Sequence, residues 1–255
     1  MKFKQFLLEE QPDIEKAAAN IKKHCQQFLK ESKRRPLYRG QKTKAPNFYY
    51  KTKAKRENKD VGQTVSGLFN LYVEEKFHIP NFRNENVIFT NGNISETKTF
   101  GDAYYVFPVD GYEYMWSPII RDFLGFESSI NGYFIKALTK EYGTEEAQKI
   151  YIMLSASIKK NYPATIKDLM DDENNFIGKF NVYEMVHKDN IEVFEEHYDY
   201  DNNHLSQAIS AEVEIMIRTP YYYAISVSDL YEHYDADFGM HEEVYREFYD
   251  EVVTW

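Results

Sequence analysis

The sequence predicts an α+β domain interrupted by a helical insertion, and three observations predict it. The 255 residues are 43% hydrophobic, with 22 Tyr and 18 Phe, enough apolar and half-apolar surface for one large core. Short runs rich in β-branched and aromatic residues read as strands at 86–90, 103–109, 212–217 and 221–227. Apolar residues at helical spacing dominate the interval between the second and third of these. Strands on both sides of a helical stretch imply one domain with an insertion, placed at about 118–203.

The elements follow in chain order. Pro12 and the segment DIEKAAANIKKHCQQFLKES predict one helix, with proline at its first position and Ile14, Ala18, Ile21, Cys25 and Phe28 forming an apolar stripe. Residues 1–35 are thus an N-terminal helical segment. LYRG follows as a short strand closed by glycine, and the basic stretch 41–60, poor in aliphatics, reads as a surface loop. Val61, Val65, Leu68, Phe69, Tyr72 and Val73 mark a second amphipathic helix. NVIFT and AYYVFPV are strands, and Ser95 opens one or two helical turns between them. YEYMWS reads as a further strand, Pro118 as the start of a helix, and 127–180 as largely helical. The acidic GMHEEVYREFYDEVV closes the chain as a helix.

Charge is uneven along the chain. Residues 1–60 hold 17 Lys/Arg against 7 Asp/Glu, a net of +10, whereas 189–255 hold 17 acidic residues against Arg218 and Arg246, a net of −15. These two ends either neutralise each other across the fold or present a basic rim to phosphates. The total of −10 argues against general duplex binding. Cys25 is alone, which excludes an internal disulfide and a cysteine zinc site. The seven histidines show no HExxH spacing, so no metal is expected. No stretch approaches the roughly 20 apolar residues of a membrane span, and MKFKQFLLEE turns acidic too early for a signal peptide. A cytoplasmic protein without membrane partners is expected.

Three segments carry candidate chemistry. In PLYRGQ, Arg39 at a strand end before Gly40 can present its guanidinium fork to a phosphate or carboxylate, or can simply be solvated. In 86–108, Thr90 and Asn91 put a hydroxyl and an amide at a strand end, and Phe100 or Tyr104 offers a ring for stacking; alternatively Asn91-Gly92-Asn93 is ordinary turn chemistry. In AEVEIMI, Glu212 and Glu214 stand two apart, so on a strand they share a face. One carboxylate could oppose developing positive charge while its neighbour orients a nucleophile, or both could be a solvated strand edge. No Gly-rich phosphate loop and no G-x-S-x-G elbow is present.

Taken in order, Tyr38-Arg39-Gly40, Phe89-Thr90-Asn91 and Glu212-Val213-Glu214 resemble the motifs of the mono-ADP-ribosyltransferase family, Arg–Ser/Thr–Glu class. TFGDAYYVFP and SAEVEIMIRTPYYYAI look most like bacteriophage-encoded members, and the resemblance covers about 36–117 and 204–227. It implies a mixed or antiparallel β-sandwich core of the ADP-ribosyltransferase type, spanning 1–255 as a single domain. It also implies NAD as substrate, held by Tyr38, Arg39, Gly40, Thr90, Asn91, Phe100 and Tyr104. Arg39 would hold a phosphate, Gly40 would admit nicotinamide to the backbone, and Thr90 would support the pocket. Glu214 would stabilise the oxocarbenium-like transition state, and Glu212 would activate the incoming nucleophile. ADP-ribose would pass to a macromolecule of the host cytoplasm, a protein in the first instance and nucleic acid in the second. The middle motif departs from the family's Ser-Thr-Ser. A rival reading from another class is a non-catalytic acidic phage protein that binds and blocks a host factor, with nucleic-acid mimicry as one route, motivated by the net −15 of 189–255.

Overall fold

The computed structural model describes residues 14–42, 49–54, 64–79, 82–83, 86–118, 120–161, 204–237 and 239–254. The chain divides into two compact units, the first made of residues 1–54, 89–114 and 201–255, the second of 55–88 and 115–200. The architecture is α+β, and no helix among the described residues is long and apolar enough to cross a membrane.

Seven strands join in the order β2-β7-β4-β1-β3-β6-β5. They are β1 (Tyr38–Gln41), β2 (Tyr49–Lys53), β3 (Val87–Asn91), β4 (Asp102–Pro108), β5 (Glu113–Trp116), β6 (Glu214–Arg218) and β7 (Tyr221–Ser226). The pairs β1–β3, β1–β4, β2–β7 and β4–β7 are antiparallel. Where a sandwich is expected, one continuous hydrogen-bonded order links all seven strands.

β2 corrects the sequence reading, which places Tyr49–Lys53 in a surface loop. Its Tyr-Tyr-Lys-Thr-Lys run has strand character, and five register pairs with β7 supply the ladder that lysine-rich composition conceals. Lys51 lies 5.0 Å from the Tyr221 ring and 5.5 Å from the Tyr223 ring, so the lysine stems cover aromatic surface while their charges remain in water.

The predicted N-terminal helix is two helices, α1 (Ile14–His24) and α2 (Gln26–Ser32); Pro12 and Asp13 lie outside the described residues. The break at Cys25 is held by a distant turn. Asp110 donates its backbone N–H to the His24 carbonyl at 2.8 Å and accepts the Gln27 N–H on its carboxylate, also at 2.8 Å. These bonds satisfy groups that a helix end leaves orphaned. Cys25 is buried, its thiol pushed well above the ordinary range chiefly by desolvation.

The sheet in this first unit has two distinguishable faces. Tyr38, Tyr105 and Phe107 point to one, where Tyr105 and Phe107 meet Tyr245 of the closing helix α8 (His241–Thr254) at centroid distances of 5.2 and 6.0 Å, and Tyr38 packs on Tyr105 at 5.3 Å. Here Tyr105 donates to the His241 carbonyl at 2.7 Å. Burial raises the phenol pKa of Tyr38, Tyr105 and Tyr245 alike. The alternate residues Arg39, Gln41 and Tyr104 point to the other face.

Helices α3 (Thr64–Phe77), α5 (Phe123–Tyr142) and α6 (Thr144–Asn161) pack on one another in the second unit, with Phe69 in contact with Phe82 and Phe123. Arg83 is buried with its guanidinium carbon 3.6 Å from the Phe123 ring centre. α5 begins at Phe123, five residues beyond the start that Pro118 predicts, and Gly143 ends it at φ +79°, a left-handed conformation suited to glycine. The expected helical character thus holds for 123–161, and 162–203 lie outside the described residues. The unit also takes in 55–88, so the predicted insertion accounts for only part of it.

Candidate active site

Arg39, Thr90 and Glu214, which the sequence reading groups together, sit on β1, β3 and β6, three consecutive strands of the sheet order. Neighbouring strands lie about 4.8 Å apart, so two steps span roughly 10 Å.

Arg39 is half-buried in the middle of β1. Its guanidinium carbon lies 5.5 Å from the Tyr222 ring centre, and its Nη1 is buried without a hydrogen-bond partner among the described residues. Gln41, two residues on and so on the same face, donates to the Tyr222 hydroxyl at 3.4 Å. Burial raises the Tyr222 phenol pKa, and the Arg39 charge opposes that rise. A buried guanidinium N–H left unsatisfied is unusual, because such groups nearly always find an acceptor. An anionic oxygen would complete it.

Gly40 is required for packing. An added Cβ would stand 2.0 Å from the Thr97 carbonyl oxygen and 2.9 Å from the Phe100 Cβ. The short helix α4 (Ile94–Lys98) and the residues after it therefore occupy the Gly40 side of β1. Phe100, 63% exposed, lies on that side and not with the Arg39 guanidinium. Tyr104 does share the Arg39 face, directly opposite it across β1–β4, but at 1% exposure its ring belongs to the core. Tyr38 is equally buried, its ring 5.3 Å from Tyr105, which leaves only its backbone beside Arg39.

Thr90 is buried and donates its hydroxyl to the Ile215 carbonyl at 2.9 Å, tying β3 to the residue after Glu214. Its role in the geometry is to fix the strand that carries the carboxylate. Asn91 accepts the Asn93 backbone N–H on its side-chain oxygen at 2.7 Å, an Asx turn.

The two glutamates are arranged differently from the expectation. β6 begins at Glu214, and Glu212 lies in the preceding turn with φ +55°. Strand alternation therefore does not align the pair. A left-handed conformation costs a non-glycine residue roughly 1–2 kcal/mol, and such strain tends to gather at functional positions. Glu212 is exposed, Glu214 half-buried. The Glu212 backbone N–H donates to the Ile209 carbonyl at 3.2 Å, at the end of helix α7 (Leu205–Ser210), and its Oε2 accepts from the Asn93 side-chain amide at 2.8 Å.

Asn93 and Tyr222 are contacts of the candidate residues that motif reading passes over. Asn93 is visible in sequence only as a turn residue, and Tyr222 as one of three consecutive tyrosines; which of these faces Arg39 depends on the β4–β7 register. No protein-family model, curated protein or solved structure matches the chain.

Proposed function

We propose that this chain cleaves NAD at the nicotinamide–ribose bond and transfers ADP-ribose to a macromolecular acceptor, a protein foremost. The observation that carries the reading is the gathering of Arg39, Thr90 and Glu214, remote in sequence, on the consecutive strands β1, β3 and β6. The unsatisfied Arg39 Nη1 adds to it, since a phosphate oxygen of NAD is a fitting acceptor.

Under this reading Arg39 binds a phosphate and Glu214 provides a fixed carboxylate opposite the ribose, where positive charge develops as the bond to nicotinamide lengthens. Electrostatic stabilisation of that kind is commonly the largest catalytic contribution. Thr90 acts indirectly, through its bond to Ile215. Glu212 takes the proton of the acceptor nucleophile. An ADP-ribosyltransferase-type fold, a phage origin and action in a host cytoplasm belong to the same proposal.

Glu214→Gln tests it. The parent is expected to release nicotinamide from labelled NAD and to label lysate protein, and the variant to lose both while keeping its melting temperature. Equal labelling by the variant overturns the assignment. A parent that binds a basic host protein, releases it at high salt and shows no thermal response to NAD or ADP-ribose instead supports the acidic blocking protein.

A further inference from the structure

The turn Asn91-Gly92-Asn93 reads in sequence as a plain connection between β3 and α4, but in the fold it grips the turn that carries Glu212. Five contacts converge there. Gly92 has no side chain, and an added Cβ would stand 1.8 Å from the Ile209 carbonyl oxygen, so the 209–212 turn sits directly against the 91–93 backbone. The same Ile209 carbonyl accepts the Glu212 backbone N–H at 3.2 Å. Asn91 fixes Asn93 by accepting its backbone N–H at 2.7 Å. Asn93 then donates its side-chain amide to Glu212 Oε2 at 2.8 Å, while its side-chain oxygen accepts the Ser95 N–H at 2.8 Å and caps α4.

We infer that Asn93 is a positioning residue for Glu212, and that the 91–93 turn sets how well the protein delivers ADP-ribose to an acceptor rather than how well it breaks NAD. The inference rests on the transferase reading and deepens it. In transfer, the C1′–N bond breaks with its electron pair leaving on nicotinamide. The acceptor's nucleophilic atom bonds to C1′, and its proton passes to the Glu212 carboxylate. An exposed carboxylate on a turn has many rotamers, and one N–H bond from Asn93 selects among them. With one oxygen engaged by that amide, the other oxygen of Glu212 remains to accept the proton. Solvent water is small and abundant at a developing ribosyl cation, so hydrolysis depends less on a base held in one place. A macromolecular nucleophile arrives from one direction and depends on it more.

Asn93→Asp and Asn93→Ser separate positioning from folding, because both residues cap a helix as asparagine does. Asp places a second carboxylate against Glu212, and Ser is too short to reach it. The assay uses NAD labelled in its adenosine part, with agmatine and lysate protein as acceptors, and measures transfer and hydrolysis in the same samples. The expected result is a fall in the ratio of transfer to hydrolysis of roughly ten- to a hundredfold, as for a misplaced catalytic group, at melting temperatures close to the parent's. A ratio equal to the parent's in the Asp variant overturns the inference and leaves the transferase reading standing. Equal loss of transfer and hydrolysis also overturns it, since Asn93 would then serve NAD cleavage or the fold. A parent with neither activity removes the transferase reading, and the inference with it.

Discussion

Substituting Gly40 by alanine tests the packing beneath the YRG segment most directly. The added methyl would lie 2.0 Å from the Thr97 carbonyl oxygen and 2.9 Å from the Phe100 Cβ, where real contacts below 3.0 Å essentially never occur. Backbone must therefore move by about 1 Å, an overpacking cost of about 1–3 kcal/mol. The Thr97 carbonyl also accepts the Phe100 N–H at 3.0 Å, and straining that bond adds about 1 kcal/mol. Loss of glycine's freedom in the unfolded chain returns about 0.4–1 kcal/mol. The net expectation is a loss of about 1–3.6 kcal/mol, or roughly 2–14 °C in melting temperature for a chain of this size. Gly132→Ala supplies the opposite sign. Gly132 lies inside α5 with nothing within 4 Å of the added Cβ, so alanine should stabilise by about 0.5–1 kcal/mol. Scanning calorimetry reads both, resolving separate transitions where the two units melt apart. A Gly40→Ala protein that melts within about 1 °C of the parent refutes the close approach of α4 to β1.

Other perturbations have equally definite outcomes. Thr90→Val leaves the Ile215 carbonyl without its 2.9 Å donor and should cost about 1–2 kcal/mol in urea unfolding; under the proposed function it should also slow NAD cleavage, whereas Thr90→Ser should keep the bond and the rate. Thr90→Val with parental stability and rate would show that the bond does not hold β6. Arg39→Lys keeps the charge but not the guanidinium fork; under the proposed function ADP-ribose should stabilise the parent by about 2.7 kcal/mol at a hundredfold excess over Kd, and the variant by less than half of that in a thermal-shift titration. An undiminished shift would remove Arg39 from the phosphate site. Tyr38, Tyr105 and Tyr245 have phenol pKa values raised by burial. Unfolded tyrosines ionise near pH 10 while these stay protonated, so the unfolded state holds fewer protons above that pH. Stability is then intact below pH 10 and falls beyond it, by about 1.4 kcal/mol per pH unit for each of the three. Circular dichroism should collapse before phenolate absorbance accounts for all 22 tyrosines; complete ionisation of a still-folded chain would contradict the buried aromatic face.

Local chemistry explains which elements were legible. The runs at 86–90, 103–109 and 221–227 are rich in β-branched and aromatic residues, and nothing in the fold competes with that preference; the run read as 212–217 becomes a strand only from Glu214. The closing helix is legible because Val244, Tyr245, Phe248, Tyr249 and Val252 are buried at helical spacing. Tyr49–Lys53 was not, since two lysines and a threonine in five residues mask a strand whose ladder comes from β7. The break at Cys25 was also hidden, because the groups that satisfy it belong to Asp110.

The candidate site divides the same way. Sequence alone determined its ingredients, an arginine before a glycine, a threonine on a strand and two glutamates near another, because residue type and order are local properties. Tertiary structure decided their arrangement. It set the strand order that makes β1, β3 and β6 neighbours, turned Arg39 towards Tyr222 and Phe100 to the opposite side, and seated Glu212 in a left-handed turn against Asn93. Those outcomes depend on register and on contacts between segments more than a hundred residues apart, and no periodicity within a single segment encodes them.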